Sequence, residues 1–104
     1  SMSSEENIRR DYLTHFGLEA DLVFGWDLPE EKRKPDPYAL EEIKRHYGFS
    51  AEEILVVDDM KFAVEMARSA NCPIAFAGWG RKGFYNICQE MEKLCDFSFQ
   101  CIFI

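Results

Sequence analysis

The sequence predicts an α/β fold, a parallel sheet with flanking crossover helices, on three observations. The apolar pattern switches repeatedly between helical spacing and short solid runs, in the order αβαβαβαβ. The solid runs are rich in Val, Ile, Leu and Phe, as strands covered on both faces of a parallel sheet are. The chain has 104 residues, which suits one domain with a modest core. Residues 1–104 are therefore read as a single domain.

Each element follows from its own residues. Ser3 and Glu6 have capping-box spacing, and Ile8, Tyr12, Leu13 and Phe16 share one helical face before Gly17 stops the helix. Asp21–Trp26 contains Leu22-Val23-Phe24, a short buried strand. Residues 27–36 are charged and carry prolines, which makes a loop on the carboxyl side of that strand. Asp36 then Pro37 reads as an N-cap and first helical residue, with Leu40, Ile43 and Tyr47 on one face and Gly48 at the end. Ser50–Glu53 has capping-box form but room for only one turn. Ile54–Val57 is a continuous apolar strand ending in Asp58-Asp59. Phe62, Ala63, Met66, Ala67 and Ala70 form the next helix face, small enough to lie close to a sheet. Pro73–Ala77 is a strand, followed by a glycine-rich turn over residues 78–83. Phe84, Ile87, Cys88, Met91 and Leu94 make the last helical stripe, and Phe97–Ile104 reads as a final strand.

Composition narrows the function classes. Lys plus Arg number 12 against 19 Asp plus Glu, a net charge of −7. Nucleic acids and anionic membranes are bound by basic surfaces, so neither is an expected partner. No apolar run approaches the ~20 residues of a membrane span. Cys72, Cys88, Cys95 and Cys101 form no Cys-x-x-Cys pair and have no zinc-finger His spacing, so they read as reduced thiols of a cytoplasmic protein. Ser1-Met2 reads as a protease-cleavage remnant ahead of a start methionine.

Sites of open α/β sheets form at the carboxyl ends of strands. Two features lie at such ends. Adjacent carboxylates, Asp58 and Asp59, repel one another unless a cation sits beside them, and Mg²⁺ is the hard dication that carboxylates take. The structural alternative is that Asp59 only caps the following helix. Lys34 is restricted to extended backbone by the Pro35 that follows it, and Asp36-Pro37 launches a helix directly after, which fixes the lysine's place above the sheet. On its own, a lysine before proline in a charged loop is usually solvated.

Taken together, Lys-Pro-Asp-Pro at 34–37, a helix, Leu-Val-Val-Asp-Asp ending 25 residues after the lysine and Met-Ala-Arg-Ser-Ala at 66–70 carry a specific pattern. It resembles the haloacid dehalogenase-like (HAD) hydrolase superfamily, in its phosphoglycolate-phosphatase and β-phosphoglucomutase-like branch, over about residues 5–97. The resemblance implies a Rossmann-like fold and phosphoryl transfer through an aspartyl-phosphate on a small phosphorylated metabolite. It implies a catalytic role for Lys34, as the lysine that stabilises nucleophile and transferring phosphoryl group. It makes Asp58 and Asp59 the Mg²⁺ ligands, Asp59 the more direct.

The sequence also departs from the family. Its first motif, Asp-x-Asp-x-Thr, supplies the nucleophile, and no such motif occurs here. The first two strands and the cap domain have no counterpart either. The expectation is a C-terminal portion of a HAD-like phosphatase, inactive alone, with a weak or absent Mg²⁺ site. The alternative is a naturally short, non-catalytic binding or assembly module on the half-fold. Strands that lose their usual neighbours expose edges, so a homo-oligomer is expected, joined through Leu22–Phe24 with Ile54–Val57 or through the last strand.

Overall fold

The structure, a computed structural model, describes residues 1–81 and 83–99. The chain divides into two compact units, one over Ser1–Arg33 and one from Lys34 onward.

In the first unit, α1 spans Glu5–Phe16. Its cap is Ser4, one residue later than expected, whose hydroxyl accepts the Asn7 N–H at 3.3 Å. Gly17 ends it in the left-handed region at φ 63°, where a glycine meets no Cβ penalty. The apolar stripe is present but buries no residue of the helix.

The expected strand at Leu22–Phe24 does not form, and these residues belong to no sheet. Local bonding explains the outcome. Trp26 N–H donates to the Ser3 carbonyl at 2.7 Å, and the Asp27 carboxylate accepts the Glu5 N–H at 3.0 Å. Gly25 passes so close to the start of α1 that a Cβ there would lie 2.5 Å from Glu5 N. The end of the apolar run is therefore tied to the residues that open α1 rather than to a ladder partner. Beyond it, the Arg33 guanidinium lies 4.1 Å from the Trp26 ring centroid, a cation–π contact.

The second unit holds a three-stranded parallel sheet in the order β1-β2-β3, with β1 at Val56–Asp58, β2 at Ile74–Ala77 and β3 at Phe97–Phe99. Val56 pairs with Ile74, Asp58 with Phe76 and Ala77 with Phe99. Parallel neighbours need crossovers. Here α3, Lys61–Ser69, connects β1 to β2, and α4, Tyr85–Leu94, connects β2 to β3. A further helix, α2 at Tyr38–Tyr47, precedes them and ends at Gly48 with φ 70°. The Lys34–Pro35 peptide bond before it is cis. The expected final strand continued to Ile104; residues 100–104 lie outside the described residues.

β2 is central and buried at all four positions. Ile74 and Phe76 there are among the largest fully buried side chains, each contributing about 1.5–3 kcal/mol by leaving water. β1 is different. The Ile54–Val57 run was expected to be covered on both faces, yet burial alternates: Ile54 and Val56 are buried, Leu55 and Val57 half exposed. It lies at the sheet edge with one face packed, and a period of two follows. The strand also starts at Val56, because Ile54 N–H closes the preceding turn on the Ala51 carbonyl. That turn carries the expected capping box, with Ser50 and Glu53 bonding reciprocally.

The small face of α3 packs as expected, with Ala63, Ala67 and Ala70 fully buried. Val64 joins them, and Phe62 is half exposed instead. At the amino rim of the sheet, the Asp96 carboxylate accepts Ile74 N–H at 2.9 Å and Arg68 Nη1 at 3.0 Å. Among the described residues, no helix is long and apolar enough to cross a membrane.

Candidate functional site

The opposite, carboxyl rim of the sheet gathers the residues singled out in the sequence. β1 ends at Asp58. Its Oδ1 accepts the Met60 N–H at 2.8 Å, a local turn that bends the chain from strand into α3. Its Oδ2 receives Lys34 Nζ at 2.5 Å, across 24 residues of sequence. The Lys-Pro-Asp-Pro segment is thus brought to the strand end. Asp36 helps hold that segment at the helix start, since its Oδ1 accepts Tyr38 N–H at 2.9 Å. The Lys34–Asp58 pair is mostly shielded, with the Asp58 side chain 16% exposed.

Asp59 does not cap α3: the cap position is Met60, and no side chain bonds there. Its surroundings come from the turn after β2. Arg81 Nε donates to the Asp59 carbonyl at 3.1 Å and lies 3.5 Å from Asp59 Oδ2. Gly80 presses on the same carboxylate: a Cβ there would sit 2.6 Å from Oδ2 and 2.9 Å from Cβ and Cγ of Asp59. The Arg81 carbonyl in turn accepts Phe84 N–H at 3.0 Å, which fixes Arg81 to the entrance of α4.

Gly80 and Arg81 were read from the sequence as parts of a turn only. The available signal was topological. Residues that follow β2 share a rim with residues that follow its parallel neighbour β1.

Thus Lys34 and Asp58 meet, while Asp59 faces a different cation. The arrangement can position an anion near Lys34 and can spread negative charge over two separate ion pairs. It does not form a ready dication site. Both Asp58 oxygens are engaged, Asp59 Oδ2 is flanked by Arg81 and Gly80, and no group of three metal-binding acids, histidines or cysteines occurs among the described residues. Mg²⁺ takes octahedral oxygen coordination and keeps its waters. The side chains as placed do not fit it.

The thiols lie elsewhere. Cys72 is buried, and burial pushes it and Cys95 above the ordinary thiol range. That makes them poor nucleophiles at neutral pH.

A parallel sheet with crossover helices and a lysine–acid cluster at its carboxyl rim defines an α/β protein with a charged site at its strand ends. The model of the haloacid dehalogenase-like hydrolase family matches residues 2–77, more than half of the chain, and the protein belongs to that family. The match spans the lysine segment, the acid pair and the strand that follows. No curated protein and no solved structure matches the chain.

Proposed function

We propose that this chain carries the phosphate-positioning part of a HAD-like phosphatase centre, with a small phosphorylated metabolite as its substrate class. One observation carries the reading: Lys34 Nζ reaches the strand-end acid Asp58. Phosphoryl transfer depends on positioning and on neutralising spread negative charge, and an ammonium group on a carboxyl rim supplies both. The reaction also needs a nucleophile, and the sequence contains no Asp-x-Asp motif. The chain alone is therefore a binder of phosphate and not a catalyst of ester hydrolysis.

Titration with inorganic phosphate, followed by NMR, tests the binding half. Weak binding that disappears in Lys34→Met supports it, and binding indifferent to Lys34 overturns it. Incubation with a generic phosphate ester tests the other half. Turnover at background level is expected, whereas turnover abolished by Asp59→Ala would overturn that part of the reading.

A second reading, an assembly module, is favoured by the edge position of β1, with Leu55 just before it and Val57 within it half exposed. The partner is then a second copy of this chain, paired at that edge. Light scattering at about 100 μM gives a dimer mass on this reading, and a monomer whose unfolding is independent of concentration excludes it.

A further inference from the structure

Adjacent carboxylates need positive charge nearby, and the family supplies it with a metal ion. In this chain the charge comes from two side chains on two different loops. Lys34 approaches Asp58 from the segment before α2. Arg81 approaches Asp59 from the turn after β2, bonded to the Asp59 carbonyl and 3.5 Å from Oδ2. Arg81 is itself three-quarters shielded and anchored through its carbonyl to the start of α4, so it is not a freely waving surface arginine. Gly80 closes the space beside the same carboxylate.

We propose that Arg81 is the resident counter-ion of Asp59, a positioning residue that closes the acid pair, so that a divalent cation binds there only by displacing it. The inference concerns the acid pair used in the proposed function but rests on the geometry of β1 and the turn after β2. Its readout is metal binding, so it stands or falls independently of phosphate binding.

The argument is one of competing charges. A fixed cation beside a carboxylate repels an incoming dication and occupies the face that its waters would need. Removing that cation lets the carboxylate attract the dication unopposed. For a pair partly open to solvent the gain is about tenfold in affinity at low salt.

Calorimetric titration with MgCl₂ tests this on the parent chain, Arg81→Gln, Arg81→Lys and Arg81→Gln combined with Asp59→Asn. Arg81→Gln binds Mg²⁺ about tenfold more tightly than the parent, Arg81→Lys stays near the parent because the charge is restored, and the combined variant loses the gain. Unchanged or weaker binding by folded Arg81→Gln overturns the proposal, as does a gain that survives Asp59→Asn. If Arg81→Gln does not fold, NMR of the parent decides. The Arg81 Nε–H resonance then moves along the same Mg²⁺ titration curve as the Asp59 carboxyl carbon. An Asp59 signal that responds while Arg81 stays still overturns the proposal.

Discussion

Replacing Gly80 by alanine puts one methyl group where the turn after β2 meets Asp59. The added Cβ would stand 2.6 Å from Asp59 Oδ2 and 2.9 Å from both its Cβ and Cγ. Carbon atoms settle at about 3.5–4.0 Å, so Asp59 or the turn must retreat by more than half an ångström. Asp59 has little freedom to do so. The preceding Asp58 is bonded by Lys34 and Met60, and the Asp59 carbonyl is bonded by Arg81. Gly80 is not among the positive-φ glycines, so alanine's backbone is tolerated and the methyl alone carries the cost. Overpacking costs about 1–3 kcal/mol, offset by ~0.4–1 kcal/mol from the stiffer unfolded chain. Taking the middle of each range, the net loss is about 1.3 kcal/mol, or a Tm lower by roughly 5–10 °C for a domain of this size. Thermal unfolding of Gly80→Ala, Asp59→Gly and the double variant forms a cycle that isolates the contact. The cost of the methyl shrinks by more than half in the Asp59→Gly background. A Gly80→Ala protein as stable as the parent, or a cost unchanged by Asp59→Gly, refutes the contact.

Lys34→Met leaves the shielded Asp58 carboxylate with the Met60 N–H as its remaining strong partner. Partial exposure lowers the cost from that of a fully buried pair to about 1–2 kcal/mol, measured by urea unfolding, with a smaller loss when Asp58→Asn is added. At the other rim, the Ile74 N–H and then Arg68 hold the Asp96 carboxyl below its usual range. Its unfolded form binds more protons as pH falls past about 4, so its contribution is present above that value and is lost as pH drops through the folded pKa. The stability difference between parent and Asp96→Asn therefore exists at pH 7 and closes in strong acid, while a pH-independent difference contradicts this. Cys72, buried and with its thiol raised by burial, reacts with thiol reagents only as fast as the unit opens, and labelling faster than backbone amide exchange of β2 would contradict its placement.

What was legible in the sequence was whatever local chemistry decides. Gly17 and Gly48 stop helices because the next conformation is left-handed, and Ser50 with Glu53 makes one capped turn from neighbours alone. Lys34, Asp58 and Asp59 were legible as members of one rim site, because the Lys-Pro-Asp-Pro and Asp-Asp motifs both follow strand-like runs, but the direct bond of Lys34 to Asp58 was not. Apart from the one-residue shift of the α1 cap, the main misreadings depend on distant partners. Leu22-Val23-Phe24 has a strand's composition, but a strand exists only beside another strand, and the following residues bond to the start of α1. A four-residue apolar run does not say whether one or both faces are covered, so the half-exposed Leu55 and Val57 were read as core. Arg81 was invisible for the same reason. An arginine in a glycine-rich turn has the composition of a solvated residue, and its partner is set by the register of β1 against β2.

The Lys34–Asp58 pair also limits the function proposed for it. Lys34 is already neutralised by Asp58, so an arriving phosphate competes with that carboxylate for the same ammonium group. Binding then carries the cost of leaving Asp58 with its Met60 bond and no cation. Asp58→Asn removes the competitor with little disturbance of the turn, because an amide oxygen can still accept the Met60 N–H now held at 2.8 Å. The variant also removes a negative charge from the rim, which favours any anion there. At the effective dielectric of a shielded surface pair, one charge at this range is worth a few kcal/mol before screening, and about 1 kcal/mol survives at physiological salt. Phosphate affinity should accordingly rise about fivefold in Asp58→Asn, fall away in Lys34→Met, and lose its advantage as ionic strength increases. NMR titration of the three proteins at two salt concentrations measures all of these. Weaker phosphate binding by Asp58→Asn would mean that Asp58 holds Lys34 in place for the anion instead of competing with it, and the charge argument for this rim would fail.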